Sequence, residues 1–184
     1  MKPYPYTIEN GGGERLTFCG VVSGGKDGTR LEAENRAEPG AGPVMHVHRL
    51  QEEAMVVKVG KIGYQLLGQE PRYAGEGETV IFAPGVAHRW WNAGTTELWC
   101  TGWAKPPLNT EYFLTVLFES MKQNRGQRPG LFDLAFLLTR YRSEFGLSAI
   151  PTIVQRIVFP VVILVGSALG KYRKFKDAPQ PVKP

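Results

Sequence analysis

From Arg15 to Trp103 the chain is cut into eight short runs rich in β-branched and aromatic residues, separated by Gly, Pro, Asn or Asp. They are RLTFCGVV (15–22), TRLEAENRA (29–37), PVMHVH (43–48), EAMVVKV (53–59), KIGYQLLG (61–68), ETVIFA (78–83), HRWWN (88–92) and ELWCTGW (97–103). Short strands this closely spaced hide their apolar faces only by closing into a sandwich or barrel. A mainly β unit is therefore expected over residues 1–104. KPP at 105–107 ends the pattern, and the apolar period then becomes helical. Tyr112, Phe113, Val116, Leu117, Ser120 and Met121 form one stripe. A second helix is expected from about Leu131 to Arg142, and a third after Pro151 towards Gly170. Residues 105–176 thus read as an α-helical C-terminal extension of about three helices, and 177–184 as a flexible Pro/Lys tail.

Charge divides the chain at the same place. The net +5 is the sum of −2 over residues 1–104, with 10 Lys/Arg against 12 Asp/Glu, and +7 over 105–184, with 12 against 5. Attraction to anionic surfaces therefore belongs to the extension. No nucleic-acid partner is expected, because the third helix is nearly all apolar and cannot serve as a polar recognition helix. ENGGGE and SGGKDG lack phosphate-loop spacing and read as hairpin turns. The two cysteines, Cys19 and Cys100, make neither a disulfide framework nor a zinc-ribbon spacing, and the N-terminal residues lack the apolar run of a secretory signal. A cytoplasmic location is the expectation.

The chemistry lies in the histidines. The chain has three, His46, His48 and His88. Side chains alternate along a strand, so His46 and His48 point to one face. Glu53 opens the next run after a short bend, and an antiparallel return would carry its carboxylate back to the pair. His88 begins a later strand after APGVA. Three imidazoles and a carboxylate, if they converge, make a mixed nitrogen and oxygen site for one divalent transition metal. Iron, manganese, nickel, cobalt, copper and zinc all suit such a set, and open coordination positions would remain for water or substrate.

At these residues the sequence resembles the cupin superfamily. Gly40, five residues, His46-x-His48, four residues, Glu53, six residues and Gly60 are similar to its first signature. Gly77, five residues, Ala83-Pro84-Gly85, two residues, His88, three residues and Asn92 are similar to its second, with Ala83 where proline is usual. The resemblance runs from about residue 14 to 104. It implies a jelly-roll β-barrel whose metal ligands are His46, His48, Glu53 and His88, and a tendency to form homodimers. GERLTF and the helical extension resemble a group of bacterial single-domain cupins, a likeness that implies no particular activity.

Strand parity places Trp90 and Asn92 on the face of His88, and Met55 and Val57 on the face of Glu53. Met55 and Trp90 are the candidate substrate-pocket residues, and Asn92 reads as a turn-former. With every histidine assigned to the metal, the general acid or base must be Glu53, a tyrosine, a metal-bound hydroxide or an unplaced carboxylate. Two functions fit. One is a mononuclear metal-dependent enzyme, a dioxygenase-like oxidoreductase acting on a small organic substrate. The other is a non-catalytic cupin that binds or senses a small molecule. The complete ligand set with open positions favours the enzyme.

Two expectations concern surfaces. An outward Trp91 and the apolar first helix would supply a homodimer interface. The uncharged stretch IVFPVVILVGSALG (157–170) is followed by KYRKFK. Its length in helical form, about 21 Å, falls short of a hydrocarbon core of about 30 Å. The sequence therefore favours a helix buried against the barrel or a partner subunit, with peripheral contact to the inner face of a membrane as the other reading.

Overall fold

The computed structural model describes residues 3–25, 28–151 and 153–183. Its first part is a two-sheet jelly roll with helices behind it. The strands are β1 (Tyr6–Glu9), β2 (Glu14–Ser23), β3 (Thr29–Ala37), β4 (His46–His48), β5 (Glu52–Val59), β6 (Ile62–Leu66), β7 (Arg72–Ala74), β8 (Thr79–Phe82), β9 (His88–Asn92) and β10 (Leu98–Lys105). The helical part holds α1 (Thr110–Gln123), α2 (Leu131–Arg140), a short strand β11 (Phe145–Leu147), a π-helical turn at Val154–Val158 and α3 (Phe159–Ala168).

All strand pairs are antiparallel. One sheet has the order β1-β2-β3-β10-β5-β8 and the other β11-β4-β9-β6-β7. Their facing sides bury Met55, Val57, Ile62, Phe82, Trp90, Leu98 and Cys100. The alternation of the sequence is visible in β9, where His88, Trp90 and Asn92 are buried and Arg89 is exposed. Burying one face of a period-two strand sets its register, because a one-residue slip would expose that whole set.

The helices are bound into the barrel. Phe118 of α1 packs on Leu16, Phe18 and Leu31, closing the end of the larger sheet. The hydroxyls of Tyr4 and Tyr6 donate to the Glu111 carboxylate at the start of α1, and Lys122 near its end pairs with Glu9. The turn after α1 comes so close to the β1–β2 turn that a Cβ on Gly126 would lie 2.1 Å from the Gly11 carbonyl oxygen. Gly126 also has φ +75°, so both contact and backbone call for glycine.

Several expectations change here. The extension adds a strand to the barrel, since β11 pairs with β4 and Phe145 lies opposite His48. The C-terminal segment expected to be a flexible tail is tied down. Arg140 and the Tyr141 hydroxyl donate to the Pro179 carbonyl, Ser143 to that of Val182, and Asn109 to that of Gln180. The homodimer expected of Trp91 and the first helix stays a proposal. Trp91 packs over Gly63 and beside Tyr73, while Phe113 and Phe118 of α1 are buried. Finally, α3 buries Phe159 and Gly166 but leaves its other side in solvent, so it is only half the buried helix expected. Pro160 lacks the N–H that a continuous α-helix requires, and the π turn ends and α3 begins around it. No helix among the described residues is long and apolar enough to cross a membrane.

Candidate metal centre

Three strands bring the site together. β4 supplies His46 and His48, the start of β5 supplies Glu53, and the start of β9 supplies His88. His46 lies directly opposite His88 in the β4–β9 pair. Glu53 comes from the facing sheet, where it lies opposite Phe82 on β8. One potential ligand atom from each of the four residues lies within 4.8 Å of every other, so the group can hold a metal ion. Glu53 Oε2 is 3.1 Å from His88 Nε2, 3.3 Å from His48 Nε2 and 3.9 Å from His46 Nε2.

The rings are oriented from behind. His46 Nδ1 donates to the Val44 carbonyl at 2.8 Å, and His88 Nδ1 to the Val86 carbonyl at 2.9 Å. Fixing the proton on Nδ1 leaves Nε2 to face the centre, the arrangement a metal-ligating imidazole needs. His88 also stacks on Phe82, with ring centroids 3.9 Å apart and planes 4° from parallel. Among the described residues the buried Nδ1 of His48 has no hydrogen-bond partner. Its ring is instead held edge-on by Phe145 at 5.4 Å, a contact made by the extension.

Burial shapes the charges. It pushes the His48 imidazole down to about 3, outweighing the pull of Glu53, so this ring is neutral and free to ligate at neutral pH. Burial alone would raise the Glu53 carboxyl, but the three imidazoles around it, with His88 Nε2 at 3.1 Å, hold it well below the ordinary carboxylate range. A carboxylate thus kept ionised among imidazoles is a donor set that fits a divalent cation.

The extension also fastens the loop between His48 and Glu53. The Arg49 amide donates to the Glu144 carbonyl at 2.7 Å, and buried Gln51 donates to the Glu144 carboxylate at 3.3 Å. That carboxylate, fully buried, also accepts from the Asn109 amide, the Asn109 side chain and the Val182 amide. One acidic side chain thereby joins the ligand loop, the start of α1 and the C-terminal segment.

Met55 and Trp90 face inward on the ligand-bearing strands, yet both are packed in the barrel core at 5% and 3% exposure. Half-buried Tyr64 and Leu66, opposite Trp90 and His88 across β6–β9, pack against the same core. Asn92 closes the turn that follows it, donating to the Ala37 and Thr96 carbonyls and accepting from the Gly94 amide. Sequence reasoning missed Phe145, Gln51 and Glu144, none of which carries a local signal. It also missed Glu14 at the start of β2. This buried carboxyl accepts from Asn10 at 2.8 Å, feels the charges of His46 and Glu53, and is pushed up to about 7 by burial.

The model of the Cupin domain family matches residues 35–101. No curated protein matches the sequence. Similar solved structures include an uncharacterized conserved protein with a double-stranded beta-helix domain from Klebsiella pneumoniae. It is 20% identical, with 58% of this chain and 82% of that one covered and a TM-score of 0.41. A predicted oxalate decarboxylase from Thermotoga maritima is also 20% identical, with 54% and 90% covered and a TM-score of 0.43.

Proposed function

With residues 35–101 forming a domain of the cupin family, we propose that the chain holds one divalent transition metal on His46, His48, Glu53 and His88. We further propose that it works as a metal-dependent, dioxygenase-like oxidoreductase on a small organic substrate. The observation that supports this reading is the convergence of four donors within 4.8 Å, two of them with Nδ1 anchored on a backbone carbonyl. When bound, the metal supplies Lewis acidity and, if redox-active, electron-transfer chemistry.

The chain's own residues do the rest. Three neutral imidazoles and one carboxylate leave one net positive charge on a divalent ion, which favours an anionic, chelating substrate. Glu53 balances charge and accepts a substrate proton when the substrate displaces it. Phe82, flat against His88, and Phe145, edge-on to His48, keep water from two of the imidazoles.

Elemental analysis of protein purified without chelator or affinity metal tests the ligand set. About one transition-metal ion per chain is expected, lost on His48→Ala or His88→Ala while the β-rich circular dichroism remains. A double variant that keeps its metal would refute the assignment. For the reaction, candidate enols and chelating carboxylates are screened on the metal-loaded protein in an oxygen electrode. Oxygen uptake with product formation supports the enzyme. A metal spectrum that responds to ligand without turnover would instead make the protein a binder.

A further inference from the structure

We propose that the exposed side of α3, with the basic turn behind it, docks on the surface of an anionic lipid bilayer. The proposal is independent of the metal site.

The segment from Ile153 to Leu169 is apolar on two opposite sides. One side, with Phe159, Val162 and Ile163, packs into the core formed with Phe113, Leu137 and Tyr141. The other carries Ile153, Ile157, Val161, Leu164, Val165 and Leu169, most of them three or four residues apart, and all of them are exposed. Leu164 is 73% and Ile153 65% exposed. Single apolar residues on a surface are ordinary, but a continuous ridge of large ones marks a contact surface.

Charge decides what the contact is with. From Phe145 to Lys176 the sequence has no acidic residue and five basic ones, Arg156, Lys171, Arg173, Lys174 and Lys176. Four follow the ridge's C-terminal end, and Arg156 lies near its start, between Ile153 and Ile157. Asp133 of α2 reaches this cluster and takes Lys174 at 2.8 Å, while Lys171 lies over the Phe132 ring. Arg156, Arg173 and Lys176 are exposed. Lys171, Arg173 and Lys174 also line a cavity of about 540 Å³ at the foot of α3, together with Gly130 and Leu131 at the start of α2. Cations above an apolar ridge match the layering of a bilayer, with acyl chains beneath anionic headgroups. A second copy of the chain fits less well. Two-fold pairing of the ridges would bring the basic ends of both copies together with no carboxylate in the segment to answer them. Spanning the bilayer does not fit either, since one side of α3 already belongs to the protein core.

The test uses the full chain and sedimentation with vesicles of phosphatidylcholine alone or mixed with phosphatidylglycerol. The protein is expected to pellet with the mixed vesicles, to stay in solution with phosphatidylcholine alone, and to be released by high salt. Leu164→Asp should weaken binding by about tenfold or more, because it removes one fully inserted side chain. Arg173→Glu with Lys176→Glu should weaken it several-fold. All three positions are exposed, so the variants should melt like the parent. Failure to pellet with anionic vesicles would overturn the proposal, as would pelleting unaffected by Leu164→Asp. So would a dimer in light scattering that Leu164→Asp converts to monomer while neither form binds vesicles, which would give the ridge to a second copy.

Discussion

Glu14→Gln should remove one pH-dependent loss of stability. The Glu14 side chain is buried at the start of β2, and burial raises its carboxyl from the ordinary 4.5 to about 7, with Asn10 and His46 pulling back and Glu53 pushing further up. Between those two values the folded chain keeps a proton that the unfolded chain has released. Stability from this group is therefore complete below about pH 4.5 and is lost as pH rises through about 7. A difference of about 2.5 units, at about 1.4 kcal/mol each, is about 3 kcal/mol. Glutamine keeps the oxygen that accepts from Asn10 and cannot ionise. Any constant packing cost of the change cancels when one pH is compared with another. His48, pushed down to about 3, works in the opposite direction below its ordinary 6.5, but both proteins carry it and it drops out of the difference. Urea melts of metal-free parent and variant from acid to mildly basic pH should thus give a stability difference that is level in acid. It should rise in the variant's favour by about 3 kcal/mol and level off above neutrality. A metal ion bound beside Glu53 would cancel the repulsion that Glu53 exerts on Glu14, so loading should shrink the rise. A difference that is flat with pH, or that grows towards acid, would refute the burial argument.

Glu144→Ala leaves the amides of Asn109, Gln51 and Val182 without their acceptor in a buried place, so a loss of at least about 3 kcal/mol in urea denaturation is expected. Metal affinity should fall with it, because Gln51 lies between His48 and Glu53. Phe145→Ala removes a buried ring stacked on Phe113 at 4.2 Å and placed edge-on to His48, and should cost about 3–5 kcal/mol. Isothermal titration with metal at a temperature where this variant is still folded should show weaker binding, although no ligand has changed.

The amino-acid order alone determined the barrel and which four residues could serve as donors. Alternation along HVH and HRWWN sets which side chains face inward, and the turn residues between runs set how far apart the donors lie in the chain. Both are local properties, and β3 and β9 have the very ends expected of them. The short strands β1, β7 and β11 were not legible, because three or four residues carry too little alternation to be told from loop. β11 is a strand only because the open edge of β4 is there to pair with. The burial of Glu14 and Glu144, the fastening of the C-terminal segment and the exposure of one side of α3 are likewise tertiary outcomes. Burial is a property of what lies opposite a residue in space, and the partners of Glu144 come from positions 51, 109 and 182, which only the completed fold brings together.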